Sequence, residues 1–477
     1  MSAEAFFLFK PIKGGNMCGI FGTHGLVNAV EVAQIGIFPV RHRGKGSIGL
    51  AVRDPQSKRV EIVKTVDYSD NVFEQEKYRN LHGKTAIAHV RWPTAGPKDP
   101  RNAQPHYTQS LQGRLVISAN GDVVNMDELR ELVATGGIRV YSDNDAEMIT
   151  AVIYFYLQQG LELFDAIIQM KTKVRGAYSA VLMADWKDAL YAFRDELGIR
   201  PMIMGYLDNR YVIASETCQL QAVGAQYVRE VHPGEVMKID DNGVSRSENS
   251  VTDQSCRNCC FCSIEDVYFS RPDSYLYLPG GHQASYSSVR YELGKQLARE
   301  FPVVADLVVP VPRSGIPSAE GYAAEAGIPC HHVIVTEGVD IGRTFIETEL
   351  RTRAFLANLK YTMIRDRIAG KSVVVVDDSL IRGLTMMVIV KKLFDAGASQ
   401  VHVRIPAPPY VYPCYYGVDT KRNYELIARD KSDEDQRMAI GAPTSLRYLS
   451  IHGFKQVLSQ FHPTGSCTAC FDGKYPV

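Results

Sequence analysis

Ser372-Val-Val-Val-Val-Asp377-Asp378-Ser379-Leu-Ile-Arg382-Gly383-Leu384-Thr385 decides how the rest of the chain is read. Four successive valines after Gly370-Lys371 predict a strand buried on both faces, because a parallel strand covered by helices needs no polar alternation. Two carboxylates stand at its C-terminal end, where open α/β sheets place their ligands. Ser379 to Thr385 is a short turn with one glycine. Beyond it Met386, Ile389, Val390 and Leu393 recur at helical spacing as far as Gly397, a natural residue just past a helix end. A turn feeding a helix N-terminus offers free backbone N–H groups and the positive end of the helix dipole, which together suit a phosphate. Strand, acid pair, turn and helix thus predict a site for a phosphorylated sugar, with the carboxylates on ribose hydroxyls. An ordinary strand-turn-helix with two solvated aspartates has the same pieces, so a second motif has to decide.

Composition bounds the answer. A chain of 477 residues exceeds one typical core and predicts two large domains or more. Lysine plus arginine equals aspartate plus glutamate at 53 each, so no global charge points to nucleic acid or an anionic membrane. No apolar run approaches the roughly 20 residues that span a bilayer, and Ala5-Phe-Phe-Leu-Phe9 is shorter than a signal-peptide core of about 7–15 residues. A soluble, cytoplasmic protein is expected. Ten cysteines in a chain of this length favour catalysis or metal binding over a disulfide framework.

The first half contains the second motif. Residues 1–17 read as a leader ending in Gly14-Gly15-Asn16-Met17, followed by Cys18-Gly19-Ile20-Phe21-Gly22. A lone cysteine opening a strand is ordinarily a buried structural residue. Here the segment resembles the start of class II glutamine amidotransferases, whose mature chain begins with the nucleophilic cysteine. An N-terminal cysteine carries its own base, because a free α-amine with a pKa near 7.7–8.0 can take the thiol proton. Loss of residues 1–17, or a start at Met17, would therefore precede activity. Arg41-His42-Arg43-Gly44 resembles the family's His-Arg-Gly turn, placing Arg43 near glutamine. Ala88-His89-Val90-Arg91-Trp92-Pro93-Thr94-Ala95-Gly96 resembles the segment whose arginine, here Arg91, holds the glutamine α-carboxylate; a planar guanidinium can meet it with two bonds. The resemblance assigns the Asn120 side chain and the Gly121 N–H to the oxyanion hole that a tetrahedral intermediate needs. In Asn144-Asp145-Ala146-Glu147 it gives the substrate α-ammonium to Asp145, with Asp143 as a rival. Short apolar runs around these motifs suit the facing sheets of an N-terminal-nucleophile hydrolase, so an αββα sandwich is expected over 18–250.

Asp240 to Ser250 is polar and turn-rich and reads as a linker. From Cys262-Ser-Ile-Glu-Asp-Val-Tyr-Phe-Ser-Arg271 onward, with Pro310-Val-Pro-Arg313-Ser314-Gly315, Ile341-Gly-Arg343 and the opening stretch, the chain resembles the amidophosphoribosyltransferase family. The resemblance runs over 18–477 and implies a type I phosphoribosyltransferase domain with a parallel sheet over 251–477. It implies phosphoribosyl pyrophosphate (PRPP) held by Ser314, Gly315, Arg343, Asp377, Asp378, Ser379, Arg382, Gly383 and Thr385, with Mg²⁺ at Asp377 and Asp378. It further implies glutamine as nitrogen donor, 5-phosphoribosylamine as product, and a dimer or tetramer. Cys262, Cys414, Cys467 and Cys470 make a four-thiolate set, for which zinc is the alternative on spacing alone; resemblance to the cluster-binding subclass favours [4Fe–4S]. The Cys256-Arg-Asn-Cys259-Cys260 run is a competing source of ligands.

Several positions depart from the family pattern. Glu337-Gly-Val-Asp340 stands where a basic, aromatic loop segment is usual, Arg313 where aspartate is usual, and Leu384 where a threonine would help hold the 5′-phosphate. Lys45 and Ala119 replace a usual glutamine and histidine in the glutaminase half. Glutamine hydrolysis is therefore the firmer expectation. The alternatives for the second half are a different phosphosugar acceptor, or a non-catalytic nucleotide-binding regulator.

Overall fold

Thirteen strands of the first half alternate inward and outward residues and pair antiparallel into two sheets. In spatial order the first holds Gln226–Glu230, Ile203–Leu207, Arg210–Ala214, Cys18–His24, Thr85–Arg91, Ser47–Arg53 and Val60–Val66. The second holds Gly243–Arg246, Val236–Asp240, Lys187–Arg194, Gly176–Ala184, Gly113–Val123 and His106–Ser110. The protein is described here from a computed structural model covering residues 18–66, 68–91, 100–247, 259–336, 360–418, 420 and 425–476. Between the sheets Ile20, Ile87, Val116, Val181, Leu190 and Ile213 interleave in a dry layer. Helices Ala29–Ile37 and Thr217–Val223 pack on the outer face of the first sheet, and Asp145–Gln158 and Leu163–Lys171 on that of the second. This is the expected αββα sandwich. The expected linker is a correction: Asp240 ends one strand and Gly243–Arg246 forms the next, so residues up to 246 are the outer hairpin of the second sheet. Its polarity reflects an edge facing solvent, which the sequence reading took for a connection.

The second half is built on four parallel strands in the order Leu307–Pro310, Ser372–Val376, Gln400–Ile405, Ser445–Tyr448. Val373, Val374, Val375 and Val376 are all fully buried, as a doubly covered strand requires. Helix Leu384–Asp395 buries Met386, Ile389, Val390 and Leu393, the four residues whose spacing predicts it. Helices Tyr286–Glu300 and Ile316–Ala326 approach each other backbone to backbone. A Cβ on Gly294 would lie 2.0 Å from the Ser318 oxygen, and one on Gly321 2.0 Å from the Tyr291 oxygen.

The two halves are tied through Phe261–Cys262. That short strand pairs in parallel with Ser466–Cys467 of the C-terminal tail. Its backbone also reaches the first domain, Cys260 N–H donating to Leu197 O (2.9 Å) and Cys262 N–H to Ile199 O (3.2 Å). The helix pair gives a direct test of packing. Gly321→Val should destabilise the protein by about 1–3 kcal/mol through overpacking, read as a lower urea midpoint at unchanged slope; an unchanged midpoint would contradict the close contact.

Candidate active sites

The glutaminase residues gather where the second sheet loses a strand. His106–Ser110 pairs with Gly113–Val123 only as far as the couple His106–Ile117. Beyond Ile117, alternate residues 119, 121 and 123 turn their backbone N–H and C=O groups toward that vacated edge. Ala119 is sealed there, its N–H donating to Gln104 Oε1 (2.7 Å) and its oxygen accepting from Gln104 Nε2 and His89 Nε2 (3.2 Å each). Val123 N–H donates to Asp145 Oδ1 at 3.2 Å. Gly121 lies between these two, and a Cβ on it would stand 1.9 Å from the Ala177 oxygen, so no larger residue fits. Asn120 is fully buried; its Oδ1 accepts from Cys18 N (3.2 Å), while its Nδ2 has no partner among the described residues. A buried amide donor without a partner is costly unless a ligand takes it. Asn120 Nδ2 and the Gly121 N–H thus form a donor pair beside Cys18.

Cys18 opens its strand directly opposite Arg91, and its thiol is 1% exposed. Burial pushes the thiol up to about 12, against the lowering influence of Arg91, Arg200 and Arg43, with Asp145 adding to the rise. Near neutral pH it is a thiol, so nucleophilic attack needs a base at the site. Asp143 and Asp145 differ in their surroundings. Asp143 pairs with Arg130 Nη2 at 2.8 Å on the surface, whereas Asp145 begins a helix capped by Asn144 and lies close enough to influence Cys18. Trp92 to Gly96 lie outside the described residues, as do residues 1–17.

Arg43 departs from expectation. It is fully buried, with Nε on Glu216, Nη1 on Glu265 Oε1 (3.0 Å), and Nη2 on Glu265 and on Ser270 Oγ (3.3 Å). Its fork is taken up by carboxylates of both domains, so it holds the junction between them. Arg200 reaches the same place, with Nε and Nη2 on the Tyr416 oxygen and Nη1 3.5 Å from Glu265.

The transferase residues meet at the C-terminal ends of two adjacent parallel strands. Gly315 caps helix Ile316–Ala326, and a Cβ there would stand 2.7 Å from the Val376 oxygen and 3.2 Å from the Asp377 Cα. Ser314 and Gly315 therefore lie against the acid pair. Asp377 Oδ1 accepts from the Asp378 N–H (2.9 Å), and Asp378 Oδ1 from Ser379 Oγ (2.5 Å). Burial, then the neighbouring Asp378, pushes Asp377 well above the usual carboxylate range. A cation or ribose hydroxyls beside the pair would relieve both causes. Gly383 takes φ +79° as the helix cap, a backbone that favours glycine. No side chain caps the helix there, so the first N–H groups, including that of Thr385, face the turn. The Arg382 side chain points elsewhere, paired through Nε and Nη2 with Glu425. Only its backbone remains for the turn. Arg343 and Glu337–Asp340 lie outside the described residues.

Three of the four predicted cluster cysteines sit in two hydrogen-bonded segments: Cys262 opposite Cys467, and Cys470 whose oxygen accepts from Val411 and Tyr412 N–H (3.0 Å each), beside Cys414. Burial and then Cys414, Cys467 and Cys262 push the Cys470 thiol well up; burial pushes Cys262 up to about 11. Burial and then Asp195 push the Cys260 thiol up, and Cys260 in turn acts on Cys467; Cys259 is disulfide-bonded. Among the described residues no three or more His, Cys, Asp or Glu side chains are set to hold a single metal ion.

Residues 90–222 match the glutamine amidotransferase domain family. The chain is 37% identical over 473 residues to the amidophosphoribosyltransferase of Methanocaldococcus jannaschii, covering 96% of this chain and 98% of that one. It is likewise 37% identical over 478 residues to that of Bacillus subtilis, covering 98% and 96%. The chain belongs to the amidophosphoribosyltransferase family. Among solved structures, the glutamine PRPP amidotransferase from B. subtilis complexed with ADP and GMP superposes with a TM-score of 0.84 at 35% identity, over 96% of this chain and 97% of that one. A structure described as the allosteric regulatory enzyme of purine biosynthesis gives 0.86 at 36%, over 96% of each.

As a member of this family, the chain carries residues that motif reading missed. Gln104 has no local pattern that marks it, because it acts on backbone groups of another strand. Glu216 and Glu265 belong to motif segments, Ala214-Ser-Glu216 and Cys262-Ser-Ile-Glu265, that gave them no role. The junction predicts a pH effect. Arg43 holds Glu216 well below its ordinary 4.5, against the opposing effect of burial. That stabilisation is full above this value and fades as pH falls through the lower folded value. Arg43→Met strands two buried carboxylates and should lose about 3–5 kcal/mol near neutrality. The difference in melting temperature between the two proteins should narrow as the pH is taken from about 5 down to 3, towards the lowered range of Glu216; a constant difference would show that Glu216 does not depend on Arg43.

Proposed function

We propose that the protein hydrolyses glutamine at Cys18 and transfers the ammonia to PRPP, giving 5-phosphoribosylamine, glutamate and pyrophosphate. In that role it would stand at the first step of purine synthesis. The observation that carries this reading is the unpartnered Asn120 amide beside Cys18, in a chain whose other half sets two phosphate turns against an acid pair.

In the first site Arg91 takes the glutamine α-carboxylate and Asp145 the α-ammonium, which fixes the carboxamide over Cys18. Once Cys18 begins the chain, its α-amine accepts the thiol proton, and the sulfur attacks the carboxamide carbon. The oxyanion forms between Asn120 Nδ2 and the Gly121 N–H, which need no reorganisation to receive it. The amine returns its proton to the leaving nitrogen, and water then releases glutamate from the thioester. Ammonia crosses to the second site inside the protein, because in bulk water near pH 7 it would become ammonium. There its nitrogen displaces pyrophosphate at C1 of PRPP with inversion. Asp377 and Asp378 hold the ribose hydroxyls, the N–H groups from Ser379 through Gly383 to Thr385 hold the 5′-phosphate, and Ser314, Gly315 and Arg343 face the pyrophosphate.

Mg²⁺ held by substrate oxygens and the Asp377–Asp378 pair would supply positive charge to the departing pyrophosphate, a usual arrangement for this ion. A [4Fe–4S] cluster on Cys262, Cys414, Cys467 and Cys470 would join the tail to the junction; the all-sulfur donor set, three of its four cysteines buried, supports it. Among the described residues no helix is long and apolar enough to cross a membrane. A cytoplasmic homo-oligomer is the form proposed.

Pyrophosphate release with glutamine and PRPP together tests the reaction, and its absence would overturn it. Cys18→Ala should abolish glutamine-dependent release and keep release driven by high ammonium; loss of both in a folded protein would break the division of labour. Arg313 is exposed on the pyrophosphate turn, and its side chain has no hydrogen-bond or ion-pair partner among the described residues. Arg313→Met should raise the KM for PRPP about tenfold or more, the worth of a hydrogen bond to a charged group; an unchanged KM would remove Arg313 from the site. Anaerobically purified protein should be brown with about four irons per chain, and colourless protein with stoichiometric zinc would overturn the cluster.

A further inference from the structure

The oxyanion donors sit on a strand that has lost one neighbour, and something must hold that strand in place. A short strap, residues 102–104, does so. The Asn102 oxygen accepts from Asn144 Nδ2 (3.1 Å), the residue that caps the helix beginning at Asp145. The Ala103 oxygen accepts from Lys64 Nζ at 2.8 Å. The Gln104 side-chain amide then closes on both backbone groups of Ala119, one residue before Asn120. His89 adds the third bond, to the same Ala119 oxygen. A carbonyl only accepts, so His89 Nε2 carries the proton; burial pushes this imidazole down to about 3, which keeps it neutral. Its Nδ1 has no partner among the described residues. His89 thus uses one ring nitrogen, and that one on the oxyanion strand.

We propose that Gln104 and His89 are positioning residues of the glutaminase: together they replace the missing strand at Ala119, and so fix Asn120 Nδ2 and the Gly121 N–H at the distance a tetrahedral oxyanion needs. Neither residue touches substrate. The amide of Gln104 copies the donor and acceptor of a neighbouring strand, and the imidazole supplies a second donor to a carbonyl that has two lone pairs. If the strand slides at Ala119, the Asn120 and Gly121 donors move with it, because they are the next two residues. The substrate grips, Arg91 and Asp145, stand on other elements, and Asp145 meets the strand at the Val123 N–H (3.2 Å), beyond the two donors. The inference rests on the glutaminase reading above.

The test uses full-length protein carrying Gln104→Met, His89→Leu or His89→Gln. Gln104→Met keeps length without polarity, and His89→Gln keeps an N–H near the position of Nε2. Gln104→Met and His89→Leu should lower kcat for glutamine hydrolysis about tenfold to a hundredfold, with KM for glutamine within about threefold. Ammonium-driven pyrophosphate release should stay within about twofold, and His89→Gln should restore most of kcat. A raised KM at constant kcat would overturn the proposal, as would an equal loss of ammonium-driven release or failure of His89→Gln to restore. If His89→Leu does not fold, Gln104→Met decides by the same split. Unmutated protein that releases no glutamate from glutamine would overturn the glutaminase reading itself, and this inference with it.

Discussion

Two arginines of the first domain, Arg43 and Arg200, converge on Glu265 of the second, with Glu216 completing a buried set of two cations and two anions. Each of the four is essentially excluded from water. Charges so placed are tolerated only when paired and hydrogen-bonded, because removing one leaves its partner stranded in a medium that cannot solvate it. The set also has to be complete to be stable, which makes it a fixed reference for both halves. Glu216 extends it, accepting from the Arg271 N–H and from Ser274 Oγ (2.8 Å each). The position of the second domain on the first is thereby set by directional bonds as well as by apolar contact.

Both sites lie near this reference. Arg43 and Arg200 each influence the Cys18 thiol, so the junction and the nucleophile share one electrostatic environment. On the other side, Arg290 binds the backbone oxygens of Asp266 and Ser270 (2.7 and 2.6 Å) beside Glu265, and also feels Asp378. A displacement at Glu265 would be felt by the glutamine-side thiol and by the ribose-side acid through rigid, hydrogen-bonded neighbours. The sandwich supplies an edge for catalysis and the parallel sheet supplies strand ends for phosphate; the charge set holds the two at one distance.

Local features of the sequence were highly legible. The valine run, the helical spacing from Met386 to Leu393 and the glycine before Leu384 describe a strand, a helix and a cap whose causes lie within fifteen or so residues, and each appears where its pattern puts it. Cys18, Asn120 and Asp145 were found through motif order, and they do come together. What stayed hidden depends on separation in sequence. Arg43 looked like a ligand-binding arginine because nothing near it hints at Glu265, 222 residues away. Arg382 looked available to a phosphate until Glu425 appeared beside it. The polar stretch after Asp240 looked like a connection, since an edge hairpin and a linker share the same solvent-facing composition. Gln104 escaped notice for a related reason: its work is to imitate backbone, and no side-chain pattern records a strand that ends early.

The parallel pairing of Phe261–Cys262 with Ser466–Cys467 has a consequence for how the chain is made. During synthesis the sandwich can close long before the last residues leave the ribosome, as domains generally fold in order of emergence. The strand at 261 has to wait for its partner at residues 466–467. Until then the seam between the halves lacks its last staple, and the nascent chain passes through a stage with a finished first domain and an unlocked hinge. A stop codon before Ser466 would therefore do its damage in the middle of the molecule, far from the missing residues.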